Sequence, residues 1–235
     1  MRRFGPREGL PWPEAALLAA ALAVGTFGLT WGLPSRARLE FLLPAERAAD
    51  PAWLKVMAEG RERLYKAMEA AGRLPLDELR SAVSIPRGWS WSEPPPMLLN
   101  SYRSYYLRSA NPDEQKNLTY LAHMDPRKLK FEPYGLGYGG AYLYPLGAWY
   151  AGLAALRVVR VTSDLTVYLE EPARMARVFL AGRAFNLLSL LGCGALLYAL
   201  GLAAGSRAAG LAAAALFLAS PATVLVGHTM NPYGW

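Results

Sequence analysis

Cysteine is nearly absent: the chain of 235 residues has one, Cys193. A lone thiol excludes an intramolecular disulfide, and its place between Gly192 and Gly194 in an apolar run is that of a small packing residue. Histidine is scarce too, and His123 and His228 are too far apart in sequence and context to read as a metal pair. Charge is thin. Charged residues make up 18% of the chain, against about 25% in ordinary soluble domains. The basic excess, a net charge of +7, is spread over short connectors, and no Lys/Arg-rich block is present to track phosphates along a duplex. Nucleic acid is not expected as a partner. There is also no fixed-period repeat and no soluble nucleotide-binding loop.

What the chain has instead is apolar length, with 53% hydrophobic residues. The acids avoid it: 13 of the 18 fall between Glu40 and Glu132. The run "EAALLAAALAVGTFGLTWGL", residues 14–33, would span about 30 Å as a helix, the thickness of a bilayer core. A signal peptide is the competing reading, since Arg2, Arg3 and Arg7 precede the run. Its length and the apolar runs that follow favour an uncleaved anchor with residues 1–13 in the cytoplasm. Two further spans are expected at 178–204 and 208–227, joined by "GSR" as an antiparallel hairpin whose Gly, Ala and Ser content suits close packing in lipid. Between them and the anchor, residues 138–159 are apolar but carry Tyr138, Tyr142, Tyr144, Trp149 and Tyr150, with breaks at Gly139, Gly140 and Pro145. Aromatics with polar tips prefer the membrane–water boundary, so this segment is expected along the outer interface.

Residues 34–137 are too long for a connector and read as a small folded cap outside the cytoplasm. Within it, "DPAWLKVMAEGRERLYKAMEAAG" has an amphipathic pattern, starting at Asp50–Pro51 and stopping before Gly72. Trp53, Met57, Leu64 and Met68 share one face; Glu59/Arg63 and Glu62/Lys66 pair on another. "SWSEPPPM" breaks the helical pattern, and a second helix is expected from "NPDEQKNLTYLAHM". The fold class is therefore mainly α: polytopic membrane helices with a partly helical extracytoplasmic cap inserted after the first span. Residues 228–235 form an outer tail if 138–159 does not cross.

Two readings stand for "NPDEQ". Asn111, Pro112, Asp113 and Glu114 are ordinary first-turn residues of a helix. The same turn places carboxylates near the membrane surface, where one could accept a proton from a hydroxyl nucleophile. Arg183, five residues into an apolar span, either snorkels or binds an anion. Arg103, Arg108 and Lys116 flank the acidic pair and are either surface charges or phosphate ligands. "NLT" at Asn117 matches a glycosylation acceptor, a pattern too common to decide anything.

Taken in order, the anchor, a loop with "PDE", the aromatic "YLYPLGAWYAGL", the Arg-led "GRAFNLLSLLGCGALLYALG" and "AAGLAAAALFLASPATVLVGHT" resemble the N-terminal part of the GT-C membrane glycosyltransferases. The branch they are most similar to is that of the protein O-mannosyltransferases and lipid A aminoarabinose transferases (family 39 and its bacterial relatives). The resemblance implies a multi-pass enzyme of the inner (cytoplasmic) membrane. It would take a sugar from a polyprenyl-phosphate carrier, with membrane lipid around it and its active face outside the cytoplasm. Asp113 matches the acid that activates the acceptor, with Glu114 beside it. Arg103, Arg108, Lys116, Arg183, Tyr142 and Asn231 form the candidate substrate- and phosphate-binding set. Asn231 stands where family members often carry a second acid, which puts a two-carboxylate site in doubt. No metal ligands are assigned, and divalent-metal dependence is left open. The family's many further helices imply that these 235 residues are the front of a longer, or truncated, enzyme. The alternatives are a non-enzymatic membrane protein whose cap binds a partner, and a transporter fragment.

Overall fold

A computed structural model describes residues 12–70, 89–133 and 139–232; Gly72, Tyr134 and Tyr138 of the expectations above lie outside them. Among the described residues the chain is helical, with two isolated β-bridges, and it divides into two compact units. The first comprises Met1–Trp31, Asp113–Val158 and Phe179–Trp235; the second comprises Gly32–Pro112 and Val159–Val178.

In the first unit, α1 (Trp12–Thr26) is shorter than the 20-residue span expected at 14–33. The Thr26 hydroxyl donates back to the Leu22 carbonyl at 2.6 Å, and Gly28 then turns the chain at φ 77°, a conformation that favours glycine. Next come α7 (Pro112–Ala122), a 3₁₀ turn at Pro126–Lys128, and α8 (Gly140–Ala155), which carries Pro145 inside it. The helix α10 (Pro172–Ala204) is long and apolar enough to cross a membrane, and only 11% of its most apolar window is buried. Leu188, Leu196 and Leu200 are exposed on it, as a lipid-facing surface requires.

The expected continuous span at 208–227 is instead a bent pair, α11 (Arg207–Leu218) and α12 (Pro221–Gly227), meeting at 59°. The cause is Pro221. A proline offers no N–H to the helix and pushes the preceding residue out of the α region, and Ser220 is indeed extended at φ −60°, ψ 129°.

The hairpin expected at "GSR" is present, and its two arms touch backbone to backbone. A Cβ placed on Gly201 would lie 2.4 Å from Gly210 Cα and 2.6 Å from its nitrogen. Neither atom can move aside without parting the helices. Gly201→Ala is therefore expected to cost about 1–3 kcal/mol as overpacking, read as a lower melting temperature of the detergent-solubilised protein. Gly192→Ala, where a Cβ meets nothing within 4 Å, is the matched control that should leave it unchanged.

The second unit contains α2 (Arg36–Leu42), α3 (Ala45–Ala48), α4 (Pro51–Ala58), α5 (Gly60–Ala70), α6 (Pro96–Leu107), α9 (Thr166–Glu170) and the first residues of α10. The amphipathic stretch starts where expected, with the Asp50 carboxylate accepting from Ala52 N at 2.9 Å, but it breaks into α4 and α5 at Glu59–Gly60. Gly60 lies so close to α6 that a Cβ there would stand 3.0 Å from the Asn100 nitrogen. Trp53, Met57, Leu64 and Met68 are all buried, and the Glu59–Arg63 and Glu62–Lys66 ion pairs form at 2.9 and 2.8 Å on the outer side. The helix α6 was not anticipated. It begins at the third proline of "PPP", the N-terminal position that proline tolerates, and its Leu98, Leu99, Tyr106 and Leu107 are buried. Burial raises the pKa of the Tyr106 hydroxyl well above that of an ordinary phenol. Arg38 holds the C-terminal end of α6, donating to the carbonyls of Tyr105 and Arg108 at 3.2 and 2.7 Å, and also to that of Gly32 at 3.0 Å.

Candidate functional site

The adjacent acids of "PDE" are driven apart by the helix they begin. Successive residues on an α-helix point about 100° apart, so when Glu114 faces the interior of the first unit, Asp113 turns to its rim. Glu114 is 0% exposed and Arg183 2%. The guanidinium meets the carboxylate through two parallel bonds, Nε to Oε1 at 2.8 Å and Nη2 to Oε2 at 2.9 Å. Its Nη1 donates to the carbonyls of Leu29 and Trp31 at 2.6 and 2.8 Å. Four hydrogen bonds thus satisfy a charge that neither snorkels nor waits for an outside anion. This removes Glu114 from the role of a second catalytic carboxylate and Arg183 from that of a substrate ligand. Both are buried and paired with each other.

The same buried cluster grips the stretch Thr229–Asn231 by its backbone. The Met230 N–H donates to Glu114 Oε1 at 2.9 Å, and the Met230 carbonyl accepts from Asn117 Nδ2 at 2.7 Å. The carbonyls of Thr229 and Asn231 both accept from Asn186 Nδ2 at 2.6 Å. Asn186 Oδ1 in turn accepts from the Tyr142 hydroxyl at 3.1 Å. The Met230 side chain lies against Gly182, where a Cβ would stand 2.1 Å from its sulfur, and the Tyr150 hydroxyl donates to that sulfur at 3.1 Å. Tyr142 and Asn231, expected as binding residues, are therefore packing and latch residues, each buried. Asn117 is wholly buried, so the "NLT" pattern presents no accessible acceptor in the folded chain.

What stays partly open is Asp113. Its side chain is 23% exposed and pairs at 3.1 Å with Lys116, itself 58% exposed, one helical turn on. Arg103 and Arg108 belong to the second unit. Arg103 donates to Asn100 Oδ1 at 2.9 Å, and Arg108 ends α6. Among the described residues no three of His, Cys, Asp and Glu come together to hold a metal ion.

A second polar knot ties the other end of the apolar helices. Glu14 accepts from the Tyr198 hydroxyl at 2.6 Å and from Arg207 at 2.8 and 2.7 Å. Along α10, Arg183 and Tyr198 are 15 residues apart, about 22 Å of helix. Glu14, Asn117 and Asn186 were legible only as odd polar residues in or beside apolar runs; nothing local named their partners.

Compared with protein-family models, with curated proteins and with solved structures, the chain matches none.

Proposed function

We propose that this chain is the front part of a multi-pass GT-C-type glycosyltransferase of the inner membrane, working on its outer face. The reading is carried by one observation: of two adjacent carboxylates, Glu114 is locked to Arg183 while Asp113 stays at the rim of the same helix beside a cation. One acid anchors α7 to the membrane-length helix, and the other lies on the partly exposed side of α7, paired with Lys116. In the reaction, Asp113 takes the proton of the acceptor hydroxyl as its oxygen attacks the anomeric carbon. The bond from that carbon to the polyprenyl phosphate breaks, and Lys116 offsets charge on the departing phosphate. The layout of anchor, acidic loop, aromatic helix and Arg-led helix supports the family assignment, and the aromatic load of α8 supports its lying at the outer interface. The activity test incubates membranes bearing the full-length enzyme, of which this chain would be the front part, with labelled polyprenyl-phosphate hexose; the 235-residue chain alone is expected to transfer none. Label moving from lipid to an acceptor, above the level of an Asp113→Asn control, is the expected result. No difference from that control would overturn the reading.

Topology is checked separately. With Cys193→Ser as background, a Ser101→Cys thiol on α6 should react with an impermeant maleimide in intact spheroplasts. Reaction only after permeabilisation would place the second unit in the cytoplasm and refute an outer-face enzyme.

A further inference from the structure

We infer that the turn Asp125–Phe131 is a lipid-binding tip that dips into an anionic membrane surface. The turn is closed on itself: Asp125 and Lys130 exchange backbone hydrogen bonds at 2.8 and 3.0 Å, and Leu129 N donates to the Pro126 carbonyl at 3.1 Å. Closure puts Leu129 at φ 55°, one of two non-glycine residues with positive φ among those described. A turn that faced only water would be served better there by glycine or asparagine. Instead the position holds a leucine that is 79% exposed, with Phe131 51% exposed two residues on. The double bridge fixes the backbone, so the leucine has no route back to the interior.

The apolar pair alternates with cations in "RKLKF", residues 127–131. The Lys128 side chain is 81% exposed and reaches Asp125 at 3.5 Å, while Glu132 follows at the foot of the turn. Apolar tips between lysines suit the boundary of headgroups and acyl chains: leucine and phenylalanine enter, and the lysine stems reach up to phosphates. A bilayer is the favoured occupant because the same unit carries the exposed apolar surface of α10. Once α10 is inserted, lipid is present at high effective concentration, so the exposed Leu129 and Phe131 meet it without a further association step. The inference rests on the membrane part of the reading above and not on sugar transfer.

Its test uses the purified chain with Cys193→Ser, reconstituted in phosphatidylcholine bilayers with or without phosphatidylglycerol. A nitroxide at Leu129→Cys reports collisions with oxygen, which favours lipid, and with a nickel chelate, which stays in water. A second nitroxide at Leu196→Cys reports on α10. The expected result is oxygen-dominated collision at 129 in the phosphatidylglycerol bilayers, weakened about tenfold or more by Lys128→Glu with Lys130→Glu. Nickel-dominated collision at 129 in both lipids, or lipid contact indifferent to headgroup charge, overturns the inference. If 196 reports lipid in either case, the membrane reading survives it. If 196 reports water as well, both fall together.

Discussion

Asp113→Asn is expected to lower sugar transfer by about 10²–10⁴-fold, the usual worth of a positioned general base, while leaving the fold intact. The amide is nearly isosteric and is tolerated in the first turn of a helix. Asp113 pairs with the largely exposed Lys116, and exposed pairs contribute about 0–1 kcal/mol. Stability and activity therefore separate at this position. The melting temperature should barely move, and binding of the donor should persist while turnover falls. A fall in both would make Asp113 part of the scaffold, and unchanged turnover would return "NPDEQ" to a plain helix start.

The opposite pattern is expected one residue later. Glu114→Ala and Arg183→Ala should each destabilise the protein by about 3–5 kcal/mol, because each leaves its partner as an uncompensated buried charge. Arg183→Lys should recover little. An ammonium cannot make the two parallel bonds to the carboxylate and also reach the carbonyls of Leu29 and Trp31. The double replacement Glu114→Leu with Arg183→Met should cost less than the sum of the single changes, since no charge is then left unpaired. Denaturant titration in detergent micelles measures all of these. Additive losses across the cycle would show that the two side chains do not act as a pair.

The helices were legible where the signal was local. Asp50–Pro51 marked a start, the apolar face of Trp53, Met57, Leu64 and Met68 is buried as its spacing required, and the apolar run 178–204 lies within α10, which starts six residues earlier at Pro172. Local signals also mark the breaks. Pro221 lies in the middle of an apparent span and breaks it; Gly60 starts α5 just after α4 has ended, and Gly28 turns the chain just past α1. The buried ion pair is of another kind. Glu114 and Arg183 are 69 residues apart, and no window of sequence contains both. An arginine in an apolar run and a carboxylate clustered with others say that each needs a partner. Only the packing of α7 against α10 names it, and so separates an anchoring acid from the one beside it.

The order of the partners along the chain has a consequence for how the protein is made. Synthesis delivers the carbonyls of Leu29 and Trp31 first, then Glu114, then Arg183, and Met230 last. When the arginine leaves the ribosome, its acceptors already exist, so it need never enter lipid unaccompanied. Reversing the pair, with arginine at 114 and glutamate at 183, would keep the charges while removing the early carbonyl acceptors from the cation. Newborn chains of that swap should be cleared by membrane quality control more often than those of the natural order.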